Sequence, residues 1–266
     1  MNGKVSAAGP DGFRIQITQS FGNCRKYVQT RRPTPGAGIA NMGEKRPLHR
    51  GEALSREQAA LIARADTLFI ASQFSEDAAD RSHGIDVSHR GGKPGFALVA
   101  HETLLLVPDY AGNNLFNTLG NIAANPKCGL LFIDFDSGDT LQLTGEAAIL
   151  WEPAHTRRFP GAKRVLAFTV EEVLQIERAL PFSWEFQGYS TAFDRFEAAE
   201  TRGDAGAHLP SMRIISVNVW ILPRSMASTP TTVAARASAR PACARWSRAR
   251  SNTSRIRWTS RTRAAC

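Results

Sequence analysis

The alternation of apolar and polar residues predicts a chain built mainly from short β-strands. The runs at 67–72 and 130–135 are continuously apolar, as in buried strands, whereas residues 140–150 alternate between apolar and polar. Strands are predicted at 67–72, 97–108 (a hairpin that turns at His101 and Glu102), 130–135, 140–150 and 164–176. The run 212–222 is compatible with one more strand.

Two helices interrupt the predicted strands. Ser55 and Gln58 have the spacing of a capping box, and the helix that they begin is expected to run to about Ala65. Apolar residues then recur at helical spacing within 115–125, and Pro126 ends that helix. Short, mostly antiparallel strands with few helices indicate a mainly β fold with peripheral helices, in the form of a small, closed or nearly closed β-barrel.

Composition divides the chain into three parts. Residues 1–50 are rich in Gly, Pro, Arg and Lys and form an N-terminal extension. Within it, 13–17 alternates like a strand that could join a sheet edge, and 31–38 has the composition of a linker. We expect the main domain at 51–200 and an irregular tail at 201–266.

The basic net charge of +9 comes from the tail. Residues 221–266 contain ten arginines and no lysine, aspartate or glutamate, which leaves 23 basic against 24 acidic residues in 1–220. We therefore do not infer nucleic-acid binding from the charge, and we expect the tail to be disordered. The abrupt loss of acidic residues suggests the hypothesis of a frame-shifted end.

The chain has no pattern typical of a membrane span, a secretory signal or a metal site. No apolar run approaches the roughly 20 residues that a membrane helix needs. The six histidines show no metal-binding spacing, and the four cysteines are expected to be mostly free thiols. The predicted location is cytoplasmic.

The chemistry-bearing residues are concentrated at 86–96 and 107–126. Arg90 offers a charged donor fork that suits a phosphate, next to two glycines and Lys93. Asn113 and Asn114 stand at the predicted start of the second helix, where free N–H groups attract anions, and Asn117 extends the polar surface. The alternatives of a solvated hairpin turn and a simple N-cap stay open.

His89 could donate a hydrogen bond to a bound ring, although it alternates with Arg90 along the predicted strand. The chain contains no GxGxxG, P-loop or GxSxG pattern, which disfavours a Rossmann-type dinucleotide site. Apolar strands around the polar groups suit a flat aromatic ring. A nucleotide-type cofactor is therefore the leading hypothesis from the residues.

The motifs closely resemble one known family. DVSHRGGKPGF (86–96), VPDYAGNNLFNTLGNIAANP (107–126) and GDTLQLTGEA (138–147) are similar to the pyridoxamine 5′-phosphate oxidase-like family of flavin-nucleotide-binding proteins. FGNCRKYVQTR and RALPFSWEF also resemble this branch. The resemblance, over roughly 13–190, implies a split β-barrel that binds FMN without a covalent bond, usually across a homodimer interface.

The residue pattern and the resemblance together predict a set of cofactor-binding positions. In the numbering of this chain they are Ser88, His89, Arg90, Lys93, Val107, Pro108, Asp109, Tyr110, Gly112, Asn113, Asn114, Asn117, Thr140 and Trp184. Asn114 is neutral where the family usually has a basic residue, so Lys93 could supply the positive charge for the phosphate instead. Thr140 stands where the oxidase proper uses glutamine.

The chain lacks the basic Arg-Leu-x-Pro substrate motif of the oxidase proper, so vitamin B6 oxidation is not inferred. The expected function is that of an FMN-binding homodimeric oxidoreductase of unknown substrate, with NAD(P)H as an electron donor to be tested and no catalytic residue assigned. A non-catalytic flavin or haem-type carrier or sensor is the alternative. A nucleic-acid-binding protein that uses the arginine tail is a third hypothesis.

Overall fold

The computed structural model describes residues 2–10, 12–22, 24–35, 45–75 and 83–194. The strands are β1 (Asn2–Gly9), β2 (Gly12–Gln19), β3 (Thr30–Pro35), β4 (Leu48–Gly51), β5 (Thr67–Phe74), β6 (Gly84–Gly91), β7 (Leu98–His101), β8 (Leu104–Tyr110), β9 (Lys127–Ile133), β10 (Thr140–Leu150), β11 (Ala162–Ile176) and β12 (Phe182–Gly188). The helices are α1 (Arg56–Arg64), α2 (Asn117–Ala124) and α3 (Pro153–Thr156), with a 3₁₀ turn at Thr191–Phe193.

Eight of the strands form one antiparallel sheet. Its order is β6-β5-β9-β10-β11-β8-β7, and β4 pairs with the end of β11. Strands β10 and β11 pair over almost all of β10, with a shift of register at Gly145. A Cβ atom at Gly145 would come within 1.9 Å of the Thr169 carbonyl oxygen, so this irregularity requires glycine.

The sheet curls until its two ends approach each other. β6 ends the sheet on one side and β8 is next to last on the other, yet Arg90 of β6 forms an ion pair with Asp109 of β8 at 2.5 Å. Within the described residues, no backbone pairing joins β6 to β7 or β8. The mainly β prediction is confirmed, and the barrel is split along this seam.

Apolar side chains fill the inside of the curled sheet and the underside of the first two helices. Leu68 and Ile70 of β5 alternate with outward-facing residues and are almost fully buried. Leu119 and Ile122 of α2 join the same core, as does Ile62 of α1. Burial of this apolar surface is the main term that stabilises the fold.

Helix α1 begins as its sequence predicts. The Ser55 side chain accepts a hydrogen bond from the Gln58 N–H, and the Gln58 side chain accepts one from the Ser55 N–H. This reciprocal pair satisfies two backbone donors at the helix start. The helix ends at Arg64, with Ala65 as its C-cap.

Three predictions about the elements are wrong. The segment 31–38 is not simply a linker, because Thr30–Pro35 is strand β3 and pairs with β12, giving a two-stranded ribbon. The strand predicted at 13–17 does not join the edge of the large sheet but pairs with β1 in a separate hairpin. Helix α2 begins at Asn117, not at 115.

The tail and the strand considered at 212–222 lie outside the described residues. The proposed boundaries at 50/51 and 200/201 stay predictions. No helix in the described part of the chain is long and apolar enough to cross a membrane. Among the same residues, no group of three metal-ligating side chains comes together.

Candidate functional site

A cleft opens at the seam where β6, the end of β8 and the start of α2 meet. The space between its walls is about 810 Å³, including the open mouth. We call it the Arg90 cleft. Its polar and aromatic lining includes Cys24, Lys26, Tyr27, Asp86, Ser88, Arg90, Pro108, Asp109, Tyr110, Gly112, Asn113, Asn114, Phe116, Asn117 and Thr118.

Strand alternation directs three polar side chains of β6 to the inner face of the barrel. Asp86, Ser88 and Arg90 are two residues apart and pair with the inward-facing side of β5. Arg90 lies at the seam, where its Nη1 donates to Asp109. The sequence therefore correctly brought Ser88 and Arg90 together with the 108–117 segment.

Asp109 is held by two arginines. Arg90 Nη1 lies 2.5 Å from one carboxylate oxygen, and Arg164 Nε lies 3.1 Å from the other. Arg164 is the register partner of Asp109 on β11. Because one carboxylate faces two guanidinium groups, the trio keeps one net positive charge at the seam. Sequence reasoning missed Arg164, since its strand pattern does not reveal the cross-strand partner.

Arg90 keeps one unmet hydrogen-bond donor. Its Nε–H is buried and has no hydrogen-bond partner among the described residues. A buried donor without a partner costs roughly 1–3 kcal/mol. Arg90 can therefore donate to an anion in the cleft while keeping its ion pair with Asp109.

The start of helix α2 adds unpaired backbone donors. Its N-cap is Phe116, which makes no side-chain cap hydrogen bond, and no acidic residue lies in the first turn. Asn117 and Thr118 of this first turn line the cleft. Free N–H groups and the positive end of the helix dipole favour a bound anion here.

A hydrogen-bonded group fixes this helix start to β6. The Thr118 hydroxyl donates to the buried carboxylate of Asp86, and its oxygen lies 2.7 Å from the Ser88 hydroxyl. Sequence reasoning named Ser88 but did not identify Asp86 as part of the site. Its period-two spacing from Ser88 and Arg90 was the available signal.

The two asparagines before α2 form the turn that leads into the helix. Asn113 Oδ1 accepts a hydrogen bond from the Leu115 N–H, and Asn114 has a left-handed φ of 61°. Neither residue is the N-cap, because the helix begins only at Asn117. Asparagine tolerates this left-handed conformation better than most residues, which explains its use here.

The N-terminal segment closes one side of the Arg90 cleft. Tyr27 OH donates to the Ala111 carbonyl at 3.0 Å, and its ring lies 5.3 Å from that of Tyr110. Burial, followed by the nearby Tyr27, raises the pKa of Tyr110 to about 12. Lys26 Nζ lies 3.4 Å from the Gly112 carbonyl and supplies a further positive charge. The motif FGNCRKYVQTR, which contains Lys26, suggested the family but did not predict that Lys26 lines the cleft.

The remaining predicted residues lie elsewhere. Val107 is buried in the core, and Thr140 is buried with a hydroxyl that has no hydrogen-bond partner in the described part of the chain. Lys93 lies outside the cleft lining, with its ammonium 6.0 Å from the Tyr189 ring. Lys26, not Lys93, is thus the lysine beside Asn114 in the cleft.

Trp184 lines a second cavity, on the outer face of the barrel, and His89 lines both this cavity and the Arg90 cleft. This second cavity, which spans about 490 Å³ including its open mouth, lies between the outer face of β5–β6 and the ribbon formed by β3 and β12. The ring of His89 packs edge-on against Phe69, its partner across the strands, with centroids 5.8 Å apart. His89 and Arg90 thus serve opposite faces of β6, as strand alternation predicts.

The Arg90 cleft fits a phosphorylated aromatic group. Arg90 Nε–H, the free amides at the start of α2 and the Lys26 ammonium supply donors for a phosphate. Tyr27 and Tyr110 supply aromatic surface beside them. The two arginines neutralise the Asp109 carboxylate, and the Thr118 hydroxyl donates to the Asp86 carboxylate.

Comparison with solved structures gives low overall similarity. HupZ of Group A Streptococcus is 15% identical over 44% of this chain and 90% of that chain, with a TM-score of 0.35. A FAD-binding protein from Mesorhizobium loti is 12% identical over 48% and 97%, with a TM-score of 0.31. An FMN-binding protein from Syntrophomonas wolfei is 16% identical over 44% and 82%, with a TM-score of 0.30.

The family comparison is more specific. No curated protein matched the chain. Residues 54–177 match the family model described as pyridoxamine 5′-phosphate oxidase, and this range contains seven of the eight strands of the split sheet and most of the Arg90 cleft. The resemblance predicted from the motifs is confirmed, and this part of the chain, a split β-barrel, belongs to the pyridoxamine 5′-phosphate oxidase-like family.

Proposed function

We propose that the chain is an FMN-binding oxidoreductase whose cofactor occupies the Arg90 cleft. The observation that carries the proposal is the unmet Arg90 Nε–H beside an uncapped helix start. Both are donors aimed at an anion, and both lie within a domain of a flavin-associated family. FMN ends in a phosphate dianion, which this donor set suits better than a neutral ligand.

Different residues of the cleft would bind the phosphate and the ring system of FMN. Arg90, Lys26 and the first-turn amides of α2 would hold the phosphate. Pro108 and Tyr110 of β8 would lie along the ring system, with Tyr27 closing that side. Asp109 keeps the Arg90 guanidinium fixed in the absence of ligand, so that less side-chain entropy is lost on binding.

When bound, FMN supplies the redox chemistry by accepting and passing on electrons. The chain itself positions the cofactor and provides the local charge. The net positive charge of the Arg90, Asp109 and Arg164 trio favours a negatively charged form of a nearby ligand. Tyr110 stays protonated at neutral pH because burial raises its pKa to about 12.

The decisive experiment is the absorption spectrum of the purified full-length protein. A flavin spectrum, with FMN and not FAD released on denaturation, is expected. Loss of the flavin absorbance on anaerobic addition of NADH or NADPH, and its return in air, supports an oxidoreductase. A colourless protein that binds no added FMN contradicts the proposal.

A non-catalytic flavin or haem-type carrier is the second candidate. One observation favours it: the two carboxylates of the cleft, Asp86 and Asp109, are both engaged in hydrogen bonds or ion pairs. Neither is available as a general base without a rearrangement. A stoichiometric flavin spectrum that stays unchanged with NADH and NADPH would favour this candidate, as would a Soret band instead of a flavin spectrum.

We also propose a homodimer. Large apolar side chains remain exposed on the described part of the chain, among them Val87 of β6 and Phe182 and Phe186 of β12. Exposed apolar surface of this kind often marks an interaction site. Light scattering coupled to size exclusion should give twice the chain mass, and a monomer at all concentrations contradicts the dimer.

A further inference from the structure

The second cavity has the chemistry of a binding site in its own right. Rings line it from three separate parts of the chain: Phe69 of β5, Phe135 after β9 and Trp184 of β12. Phe135 and Trp184 pack edge to face with centroids 5.5 Å apart. Val28 and Pro33 add apolar surface. Its walls therefore favour a flat, apolar ring.

His89, which lines both this cavity and the Arg90 cleft, carries an unsatisfied polar atom. Its Nδ1 is buried and has no hydrogen-bond partner among the described residues. Native proteins rarely leave a buried polar atom unpaired, because the missing hydrogen bond costs free energy. A ligand with a polar edge could satisfy it. Burial lowers the pKa of His89, which favours the neutral ring, so Nδ1 offers either a donor N–H or an acceptor lone pair.

Arg31 makes one wall of the second cavity rigid. Its guanidinium pairs with Asp66 at 2.6 Å and stacks 3.9 Å from the centroid of Phe135. Because Asp66 neutralises it, Arg31 does not demand an anionic ligand. The second cavity therefore differs from the Arg90 cleft, where two arginines share one aspartate.

We propose that the second cavity binds an uncharged planar heteroaromatic ring, whose polar edge hydrogen-bonds to His89 and whose faces pack against Phe69 and Trp184. Such a ring is supplied by a phosphate-free flavin, a pterin or a similar bicyclic or tricyclic compound. The site lies on the outer face of β6, opposite the Arg90 cleft. It does not rest on the proposed FMN function.

Lumichrome is a suitable probe, because it is planar, uncharged, fluorescent and free of phosphate. The full-length protein, saturated with FMN to occupy the Arg90 cleft, is titrated with lumichrome by calorimetry. We expect binding with a stoichiometry of one per chain. Comparison of the wild type with variants of Phe69 and His89 assigns this binding to the second cavity, whether or not the Arg90 cleft takes FMN.

Two variants of β5 provide the matched test. Phe69→Ala removes a wall of the second cavity and should weaken lumichrome binding by at least tenfold. Phe74→Ala removes a ring from the same strand that packs on His83 and lies outside both cavities. It should leave lumichrome binding within twofold of the wild type. Circular dichroism checks that both variants keep the fold.

Two variants of His89 test the polar contact. His89→Leu removes both ring nitrogens and should weaken lumichrome binding about tenfold. His89→Asn keeps a polar group near the position of Nδ1 and should recover much of the affinity. Competition between FMN and lumichrome, equal binding by Phe69→Ala and wild type, or no lumichrome binding at all overturns the proposal.

Discussion

The two cavities lie on opposite faces of one strand, and their contents differ sharply. The Arg90 cleft gathers charged groups and free backbone donors on the inner side of β6. The second cavity gathers aromatic rings on the outer side, around His89. Neighbouring residues in a strand point to opposite faces, so adjacent positions in one motif contribute to two sites.

The difference has a physical cause in how each wall is built. The cleft lies at the seam of the barrel, where β6 and β8 meet without backbone pairing, and side-chain ion pairs hold the edges together. The second cavity lies under the β3–β12 ribbon, which covers the paired strands β5 and β6 with aromatic side chains. Charged side chains therefore lie at the open seam, and aromatic side chains lie under the ribbon.

Substitution of Arg90 should give the largest effect and should act on the cleft alone. Arg90→Ala removes the half-buried cation and the unmet donor, so FMN should bind about 10- to 150-fold more weakly, or by about 1.5–3 kcal/mol. Fluorescence titration with FMN measures the change. Arg50→Ala, which removes an exposed arginine paired with Glu172, is the control. If Arg90→Ala bound FMN with wild-type affinity, the proposed difference between the two cavities would be wrong.

Loss of the hydrogen bond between Asp86 and helix α2 should have the second-largest effect, on the stability of the fold. Thr118→Val keeps the side-chain shape but removes the hydroxyl that donates to the buried Asp86 carboxylate. The free energy of unfolding in urea should fall by about 1–3 kcal/mol. Thr144→Val, at an exposed position of β10, should change it by less than about 0.5 kcal/mol. Equal stabilities of the two variants would contradict this role.

Lys26 should contribute less, because its side chain is exposed. Lys26→Ala should weaken FMN binding about threefold in dilute buffer, and the difference should shrink as salt screens the charge. Lys127→Ala, at an exposed position of β9, serves as the charge-matched control. A loss that is the same for both lysines would mean that only overall charge matters.

Acid should affect the second cavity through His89, with the smallest effect of the four. Burial lowers the pKa of His89 below 6.5, Asp66 opposes this, and Arg90 and Arg31 add to it. The folded state therefore binds this proton less readily than the unfolded state does. The contribution is complete above about pH 6.5 and is lost as the pH falls below it.

Urea unfolding at pH 7.5 and at pH 5.5 measures this contribution. The wild type should lose more stability than His89→Asn between these two values, because the asparagine does not titrate. Near pH 7.5, the free energy of unfolding should change with pH to a similar extent in the wild type and in His89→Asn. Parallel losses in both proteins would assign the acid sensitivity to other groups.

Local pattern was enough to predict most of the elements. Strands β5, β9, β10 and β11, the hairpin of β7 and β8 and the capping box at Ser55 follow from the side-chain periods and the capping residues, whereas strand β4 was not predicted. The ribbon was missed because Pro33 and Pro35 in β3 give the composition of a loop. The start of α2 was placed too early because Leu115 and Phe116 extend its apolar spacing.

By itself, the sequence determined the mainly β fold, its family and the motif around Arg90. Only the tertiary structure decided that Asp109 bridges two arginines, that Lys26 and Tyr27 reach the cleft, and that His89 and Trp184 share another cavity. The reason is that periodicity reports which face a side chain takes, whereas its partners depend on how the sheet curls. That curl joins strands from opposite ends of the sheet, a contact that no local pattern encodes.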